Sequence, residues 1–570
     1  MSTLTAAPAV PTTVTGHRRL LEQLRADGVR YLFGNPGSTE EGLLDEIGRF
    51  PDIEYVLGLQ EAALVCLADG YAQATGDPAV LLLHSGVGLG NAVGSLYHAL
   101  HRQTPMVVLT GEAGVAYDAL EAHMSVNLVD VARPVTKYAT RAIHPASVLR
   151  LLRRCIKIAS TPPRGPVFLA LPQDILDQVN QEPVVPTVVP DTRVVPDPAV
   201  IESAARLLAG ARSPVILAGD GVAASGAVAE LTRLAETMGA AVWGAMSSEL
   251  NMPWTHPLYA GLTGHMFGDD SAAVVGGADA VVICGTYAFP DVFGWTHNPF
   301  RPDAGVVHID LDANAIAKNH PVTMGLVSDP RLTLGALAGA LDRLQTGAQK
   351  GAAGQRIAQR VQQRIAETPP APAEPAGASR VRMRAVAACL ADLLPDDAVV
   401  FDESLTNSAE LTRWLTPSKP GHFFQTPGGT LGVGIPGAVG AKLAHPGRTV
   451  VGFTGDGGAM YTYQALWTAA HHRIGAKFVV CHNAGYHLLK LNLVEYWRDG
   501  GAPTDRPFPA MFDVSEPRID FVALAGALGV PAARISRHDE VRPALAAMLG
   551  HDGPYLVQVD LDQNPPREDR

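Results

Sequence analysis

Short runs of consecutive apolar residues alternate with stretches of helical periodicity along most of the chain. Between residues 15 and 185 the apolar runs are VRYLFG, IEYVLGL, PAVLLLHS, PMVVLTG and GPVFLALP, and the helical stretches include EAALVCLADGYAQAT. Strands that are apolar on both faces and alternate with helices are typical of βαβ units in a parallel sheet. The pattern therefore predicts an α/β domain over residues 15–185.

Two further α/β domains are predicted downstream. A Pro-rich linker, EPVVPTVVPDTRVVPDP, leads into a middle domain, 186–345, with the runs SPVILAGDG, AAVWGAM, DAVVICG and GVVHIDLD. A helix and the segment TPPAPAEPAGAS form a second linker, 346–380. The runs AVVFDES, TVVGFTGDG, AKFVVCHN and YLVQVDLD then define a C-terminal domain, 381–566. The predicted fold is α/β, with three consecutive parallel-sheet domains.

Charge and composition argue against some classes of binding partner and indicate a cell compartment. The net charge is -12 and no basic stripe interrupts it, which argues against nucleic acid and against anionic membrane surfaces. The N-terminus lacks a basic start with an apolar core, and no apolar run is long enough to span a bilayer. We expect a cytoplasmic protein whose five widely spaced cysteines are reduced: Cys66, Cys155, Cys284, Cys389 and Cys481.

The richest segment for chemistry is RTVVGFTGDGGAMYTYQALWTAAHHRIGAKFVVCHNAGYH, which is predicted to form strand, Gly-rich turn, helix, strand and turn. This order puts Asp456 and Asn483 at the carboxyl ends of two parallel strands, where ligands bind in such sheets. Together with a backbone carbonyl near Gly485, they offer hard oxygen ligands for Mg²⁺. Three glycines let the backbone approach a diphosphate closely: Gly455, Gly457 and Gly458.

A GDG tripeptide followed by an Asn, with 27 positions from Asp456 to Asn483, resembles the cofactor motif of thiamine-diphosphate enzymes. The resemblance implies thiamine diphosphate and Mg²⁺ as cofactors, with Ala459 beside the three glycines in the cofactor contact. That family usually has two consecutive Asn where this chain has His482 and Asn483. A second GDG, 219–221, has Ser247 at the matching offset and is interpreted as an ordinary strand-to-helix turn.

Two other segments extend the resemblance. IEYVLGLQEAALVCLADGYAQATG is similar to the family's catalytic-Glu segment, which implies that Glu61 hydrogen-bonds N1′ of the cofactor's aminopyrimidine from an apolar pocket. TPGGTLGVGIPGAVGAKLA resembles the segment that holds the cofactor bent, with Leu431 as the apolar wedge and the Gly429 carbonyl bonding the 4′-amino group. The alternative for Glu61 is a plain helix-start carboxylate favoured by the helix dipole.

The whole chain is most similar, within this superfamily, to 2-oxo acid decarboxylases of the benzoylformate decarboxylase type. FGNPGSTE, LQEA, ADGYAQA, LHSGVGLGNAVG and ALWTAA carry the likeness. It implies non-oxidative decarboxylation of a 2-oxo acid, with Ser38 binding the substrate carboxylate and His84 acting as an acid/base. Ser38 has an alternative role as the cap of a helix, and His84 has one as a hydrogen-bonded core residue.

The second active-site His of the decarboxylases aligns near Val292, where this chain has none. Three residues remain open as substitutes: Asp291, His265 and His297. Further along, His487 and Glu495 either line the substrate pocket or belong to the polar face of a helix. GVGLGN, 86–91, is a near miss to a dinucleotide-binding fingerprint because it lacks the third Gly.

Two rival functions remain open. One is an acetolactate-synthase-like carboligase, in which a second carbonyl compound such as an aldehyde is the acceptor, and the other is a non-catalytic cofactor-binding homologue. Glu61 and Asp456 fall in different predicted domains, and relatives join such residues across a dimer interface, so the resemblance implies a homodimer or homotetramer. The expected small-molecule partner is a 2-oxo acid.

Overall fold

The computed structural model describes residues 14–121, 123–245, 247–264, 266–367, 381–426 and 429–561. The chain divides into two compact units, 1–190 and 191–570. The first unit contains one six-stranded sheet and the second contains two, and every strand pairing in them is parallel. The predicted α/β fold with three consecutive parallel sheets is therefore confirmed.

The first unit has the strand order β2-β1-β3-β4-β6-β5. Its inner strands are buried along nearly their whole length because helices cover both faces of a parallel sheet. The strands are β1 (Tyr31–Gly34), β2 (Glu54–Leu57), β3 (Ala79–His84), β4 (Met106–Glu112), β5 (Tyr138–Arg141) and β6 (Pro166–Pro172). The helices are α1 (Gly16–Ala26), α2 (Glu41–Ile47), α3 (Glu61–Thr75), α4 (Ser85–His101), α5 (Leu128–Ala132), α6 (Val148–Ser160) and α7 (Gln173–Leu176), with 3₁₀ turns at Val115–Leu120, Arg133–Val135 and Pro145–Ser147.

The second unit begins with the middle sheet, whose order is β12-β11-β10-β7-β8-β9. The strands are β7 (Pro214–Ala218), β8 (Ala241–Gly244), β9 (Tyr259–Leu262), β10 (Ala280–Cys284), β11 (Gly305–Asp310) and β12 (Met324–Val327). The helices are α8 (Pro198–Leu208), α9 (Asp220–Ala224), α10 (Val228–Met238), α11 (Gly268–Gly276), α12 (Pro330–Leu344) and α13 (Gly347–Glu367).

The same unit ends with the C-terminal sheet, whose order is β14-β13-β15-β16-β18-β17. The strands are β13 (Val399–Glu403), β14 (Phe423–Gln425), β15 (Val450–Gly455), β16 (Lys477–His482), β17 (Ala532–Ile535) and β18 (Tyr555–Asp560). The helices are α14 (Met383–Leu393), α15 (Ser408–Trp414), α16 (Gly434–Ala444), α17 (Asp456–Thr462), α18 (Ala465–His471), α19 (His487–Asp499), α20 (Phe521–Ala527) and α21 (His538–Gly550), with 3₁₀ turns at Leu405–Asn407 and Ala510–Phe512.

The strands that the apolar runs did not predict all lie at sheet edges: β5, β9, β12, β14 and β17. These strands are only three or four residues long, so their sequences carry no long apolar run; β5, for instance, is YATR. Within the predicted linker 346–380, residues 347–367 form helix α13, and the Pro-rich segment TPPAPAEPAGAS lies outside the described residues.

Strand order decides which side chains meet. In the first unit, β2, β1 and β3 are neighbours, so the segments that follow them lie close together at the carboxyl edge of the sheet, where the parallel strands end. In the C-terminal sheet, β13, β15 and β16 are neighbours in the same way. None of the helices described here is long and apolar enough to cross a bilayer.

Candidate active site

The Glu61 carboxylate lies at the edge formed by β2, β1 and β3, at the first position of α3. It is only 6% exposed. Asn35, just after β1, donates from Nδ2 to Oε1 at 3.0 Å, and Asn91 of α4 donates from Nδ2 to Oε2 at 2.9 Å. The prediction that Glu61 lies in an apolar pocket is therefore wrong in one respect. Each of its carboxylate oxygens accepts a hydrogen bond from a side-chain amide. The N-cap of α3 is Gln60, whose Oε1 accepts the Ala63 N–H.

His84 ends β3 at the same edge, and a buried carboxylate fixes one side of its ring. Its Nδ1 lies 3.0 Å from Oε2 of Glu40 and 3.1 Å from Oγ1 of Thr39. Thr39 in turn donates to Oε1 of Glu40 at 2.6 Å. Burial raises the pKa of the Glu40 carboxyl above its ordinary value, although the hydrogen bond from Thr39 and the His84 ring oppose that shift. With Nδ1 held in this way, His84 has Nε2 for other partners.

Ser38 is exposed, and α2 begins at Glu41 with Glu40 as its N-cap, so the alternative role of Ser38 as the helix cap is wrong. A cleft lies beside Thr39 and Ser85 in this unit. Ser85 has a φ of +44°, is 3% exposed, and its Oγ has no hydrogen-bond partner among the described residues. The remaining walls of the cleft are mixed in character and include Glu112, Tyr117, Asp118, His123, Met124 and Arg141.

Asp456 and Asn483 follow two adjacent strands of the second unit, since the register of β15 and β16 pairs Gly455 with Cys481. Asp456 is 4% exposed and accepts hydrogen bonds from Gly457 N at Oδ1 (2.8 Å) and from Ala484 N at Oδ2 (2.6 Å). Asn483 Oδ1 accepts the Gly485 N–H at 3.1 Å. Oδ1 of Asp456 and Oδ1 of Asn483 each accept only one of these hydrogen bonds and so retain a lone pair, and this donor set fits a hard cation such as Mg²⁺.

The loop around Leu431 is tied to the same edge by a buried carboxylate that the sequence did not single out. Glu403, the last residue of β13, accepts the backbone N–H groups of Gly432 and Gly434 and the hydroxyl of Thr454. Burial raises the pKa of Glu403 to about 7. Leu431 is half-buried between Gly429 and Gly432, whose φ values of +94° and +90° favour glycine.

Gly455 supplies a test of whether this edge fits a diphosphate. Its φ of -81° suits any residue, and a Cβ built there would meet no described atom within 4 Å. Neither backbone conformation nor packing against the described residues requires glycine at this position, and the open space beside it would leave room for a diphosphate against the backbone. A Cβ at Gly458, in contrast, would lie 2.7 Å from Oγ1 of Thr454, and the Ala459 side chain is buried.

We therefore expect Gly455→Ala to fold normally and to bind thiamine diphosphate about five- to hundredfold more weakly, because an added methyl against a bound group costs about 1–3 kcal/mol. Thermal unfolding and calorimetric titration measure the two quantities separately. Gly447→Ala is the matched control, since its Cβ also meets nothing within 4 Å and it belongs to the turn that precedes β15. Equal affinities for the two variants would contradict the assignment.

Comparison with known proteins decides the family. Residues 14–131, 201–337 and 406–559 match the N-terminal TPP-binding, central and C-terminal TPP-binding domains of thiamine pyrophosphate enzymes. Benzoylformate decarboxylase of Pseudomonas aeruginosa is 32% identical over 564 residues, which cover 96% of this chain and 98% of that protein. The chain belongs to the thiamine-diphosphate-dependent enzymes. Its cofactor is thiamine diphosphate, for which Mg²⁺ is the conventional partner ion in this family.

This thiamine-diphosphate enzyme also resembles other curated proteins and several solved structures. The acetolactate synthase isozyme 2 large subunit of Escherichia coli is 28% identical, with 96% of each chain covered. Among solved structures, a thiamine-diphosphate-dependent 4-hydroxybenzoylformate decarboxylase of Rhodococcus jostii matches with a TM-score of 0.84 at 28% identity, covering 97% of this chain and all of that one. Benzoylformate decarboxylase of Polynucleobacter necessarius matches at 0.83 and 27%, covering 97% and 99%.

The other candidates from the sequence have surroundings of their own. The second GDG joins β7 to α9, with Gly219 as the N-cap and Asp220 as the first helical residue, and the Asp220 carboxylate accepts the backbone N–H groups of Ser248 and Glu249. GVGLGN belongs to helix α4, so a dinucleotide loop is excluded there. Of the possible second acid/base groups, Asp291 accepts a hydrogen bond from Ser271, His297 is exposed, and His265 lies outside the described residues.

On α19, His487 is half-buried, and its Nδ1 has no hydrogen-bond partner among the described residues. Burial lowers the pKa of His487, and the charge of Lys490 adds to that effect. Glu495 pairs with Arg498 on the same helix. Both residues remain candidates only.

Proposed function

We propose that this enzyme is a thiamine-diphosphate- and Mg²⁺-dependent decarboxylase that acts non-oxidatively on a 2-oxo acid, as a carbon-carbon lyase. The observation that carries the proposal is Glu61, a buried carboxylate whose two oxygens are held by separate amides in the domain that matches the N-terminal TPP-binding model. A carboxylate that only interacts with the helix dipole can do so while exposed, and burying it would cost free energy. That role therefore does not explain why Glu61 is buried and has two side-chain donors. The names of the relatives with 32% and 28% identity support the same chemistry.

The residues proposed to contact the aminopyrimidine half of the cofactor have roles that follow from their surroundings. When bound, thiamine diphosphate supplies the electron sink that a 2-oxo acid needs in order to lose CO₂. Glu61, oriented by Asn35 and Asn91, holds and exchanges a proton at the aminopyrimidine N1′. Leu431 would support the cofactor, and the Gly429 carbonyl would accept a hydrogen bond from its amino group.

In the C-terminal domain, Asp456, Asn483 and the Gly485 carbonyl would hold Mg²⁺ against the diphosphate. Diphosphate contacts would come from the backbone at four small residues of the β15–α17 turn: Gly455, Gly457, Gly458 and Ala459.

His84 and Ser38 act on the substrate in this proposal. Because the side of His84 that carries Nδ1 faces the Glu40 carboxylate, that nitrogen carries the proton and Nε2 exchanges protons with the reacting molecule. Ser38, an exposed hydroxyl in the segment before α2, binds the substrate carboxylate.

A panel of aromatic and aliphatic 2-oxo acids, incubated with Mg²⁺ and thiamine diphosphate, tests the proposal. The expected result is CO₂ release with formation of the corresponding aldehyde from at least one class. Absence of CO₂ release from every member, with the cofactor bound, would favour the non-catalytic homologue instead.

The second candidate function is carboligation, which the acetolactate synthase relatives at 27–29% identity favour. Adding an aldehyde or a second 2-oxo acid to the same panel separates the two functions. A product that contains both carbon skeletons, formed faster than free aldehyde, identifies a carboligase. A homodimer or homotetramer stays a prediction, and light scattering of the loaded enzyme measures it.

We expect His84→Ala to lower turnover of the 2-oxo acid about hundredfold or more, as is usual when one general acid/base is removed, while cofactor affinity stays unchanged. Steady-state rates and calorimetry measure the two effects. His101→Ala is the control and should turn over normally, because His101 is exposed at the far end of α4, whose N-cap is His84. A near-normal rate for His84→Ala would leave His84 with only a structural role.

A further inference from the structure

His482 is the last residue of β16, next to Asn483, and it contacts the proposed metal ligand Asp456 directly. The ring is buried, and its Nδ1 lies 3.1 Å from Oδ2 of Asp456. Phe521 packs edge-on against it, with ring centroids 5.6 Å apart and an interplanar angle of 72°. The imidazole is therefore held in one orientation against the Asp456 carboxylate.

A guanidinium on the far side of the ring determines which nitrogen carries the proton. Nε of Arg518 donates to Nε2 of His482 at 3.3 Å. Arginine has only donors, so Nε2 must accept and Nδ1 must carry the hydrogen that is donated to Asp456. If an Asp or Glu replaced His482, its ionised carboxylate could accept a hydrogen bond from Arg518 but could not donate one to Asp456.

Arg518 is itself anchored to the sheet. Its Nη2 pairs with Oδ1 of Asp560 at 2.7 Å, and the parallel register of β16 and β18 places Asp560 directly opposite His482. Asp560 receives further hydrogen bonds from Ser536 at 2.7 Å and from Gln558 at 2.8 Å. The chain Asp560–Arg518–His482 thus connects the end of one strand to Asp456 through charge-assisted contacts.

The outcome is an asymmetric hydrogen-bond pattern on Asp456. Oδ2 accepts from both His482 and Ala484 N, while Oδ1 accepts only from Gly457 N among the described residues. We propose that Asp560, Arg518 and His482 form a positioning relay that orients the Asp456 carboxylate toward its cation and makes the site selective for Mg²⁺ over larger divalent ions. The inference rests on the proposed function, because it takes Asp456 as the metal ligand.

Cation size explains why orientation would affect selectivity. Mg²⁺ requires nearly ideal octahedral geometry at about 2.0–2.1 Å, whereas Ca²⁺ tolerates irregular ligands at about 2.3–2.6 Å. A carboxylate that loses its fixed orientation should therefore lose more affinity for Mg²⁺ than for Ca²⁺. Hydrogen-bond partners of metal ligands commonly contribute about 10- to 100-fold to affinity.

The experiment titrates the apo enzyme with Mg²⁺ and, separately, Ca²⁺ at saturating thiamine diphosphate, and follows binding by calorimetry. For Arg518→Met we expect Mg²⁺ affinity to fall about 10- to 100-fold and the Mg²⁺/Ca²⁺ affinity ratio to fall with it. In a His482→Asn background the same Arg518 change should have less than about twofold effect, because the coupling runs through the imidazole. Arg534→Met is the matched control, since it breaks the Arg534–Asp520 pair beside α20 and leaves the relay intact.

Wild-type Mg²⁺ affinity and ion ratio in Arg518→Met, or equal losses from the Arg518 change in both backgrounds, would overturn the relay. A merely structural role would lower the unfolding temperature without changing the ion ratio. Asp456→Ala separates this failure from failure of the proposed function. If that variant keeps Mg²⁺-dependent cofactor binding, the metal site itself is wrong; if it loses binding while Arg518→Met does not, only the relay is wrong.

Discussion

Glu61→Gln is expected to lower turnover of the 2-oxo acid by about two to four orders of magnitude while thiamine diphosphate stays bound. An amide cannot exchange a proton with the aminopyrimidine N1′, so the variant keeps the shape of the site and loses its proton transfer. Cofactor affinity should persist because the groups proposed to bind Mg²⁺ and diphosphate lie elsewhere, in the β15–α17 segment and directly after β16.

The decisive measurement is hydrogen–deuterium exchange at C2 of the bound cofactor, quenched and read by NMR. The amide introduced by this substitution would also face the side chains of Asn35 and Asn91, and its NH₂ group cannot accept from either of them. One of these two donors then loses its acceptor, and because Asn35 is half-buried and Asn91 is exposed, the expected loss in stability is only about 0.5–1.5 kcal/mol, the net value of one hydrogen bond. Thermal unfolding accounts for that part of the change. Exchange as fast as in the wild type would remove Glu61 from the proton-transfer step.

Glu41→Gln is the matched control for this prediction. Glu41 is also the first residue of a helix, α2, but it is exposed. If Glu61 acted only through the helix dipole, both substitutions would cost about 0.3–1 kcal/mol in stability and neither would change exchange at C2. Only a proton-transfer role makes the two variants differ in exchange at C2.

The sequence predicts the strands that are buried on both faces, because burial requires a run of apolar residues. Runs such as PAVLLLHS and AKFVVCHN form the inner strands β3 and β16, because a strand covered on both faces must be apolar throughout. Most edge strands have no such apolar run; β17, for example, is AARI, and it contacts a neighbouring strand on one side only. Pairing partners, rather than local sequence, determine that such segments become strands.

The sequence predicts where the site residues lie relative to the strands, but not which side chains contact them. Strand order explains why the segments with Glu61 and His84 meet at one edge, and the spacing of Asp456 and Asn483 follows from consecutive parallel strands. Side-chain direction is a tertiary property, so the sequence does not reveal the partners of these residues. Three of those partners, Asn35, Glu40 and Asn91, stand within FGNPGSTE and GVGLGN, yet nothing local marks which of them faces Glu61 or His84.

Glu403 is a buried residue at the C-terminal site that the sequence did not single out. In the run AVVFDES it looks like the polar end of a strand, where acids are usually solvated. In the fold it is 1% exposed and accepts two backbone N–H groups from the loop that follows Leu431. A buried acid of this kind is recognised only once the loop that covers it is known.

Asp456→Ala is expected to abolish tight, Mg²⁺-dependent binding of thiamine diphosphate, because the metal bridge would lose its charged protein ligand. Calorimetric titration of the apo protein with the cofactor, at fixed Mg²⁺, measures the loss. The substitution also removes the acceptor for Ala484 N and for His482 Nδ1, so the free energy of unfolding should fall by about 1–3 kcal/mol for each buried donor left unpaired.

Asp220→Ala distinguishes loss of a metal ligand from loss of a loop-capping carboxylate. Asp220 stands in the second GDG tripeptide and also follows a parallel strand, but its carboxylate accepts from the backbone of Ser248 and Glu249. That variant should lose stability through the unpaired N–H groups and still bind the cofactor with wild-type affinity. Wild-type, Mg²⁺-dependent affinity in Asp456→Ala would show that the diphosphate binds elsewhere, and a matching loss in Asp220→Ala would show that both effects come from unfolding.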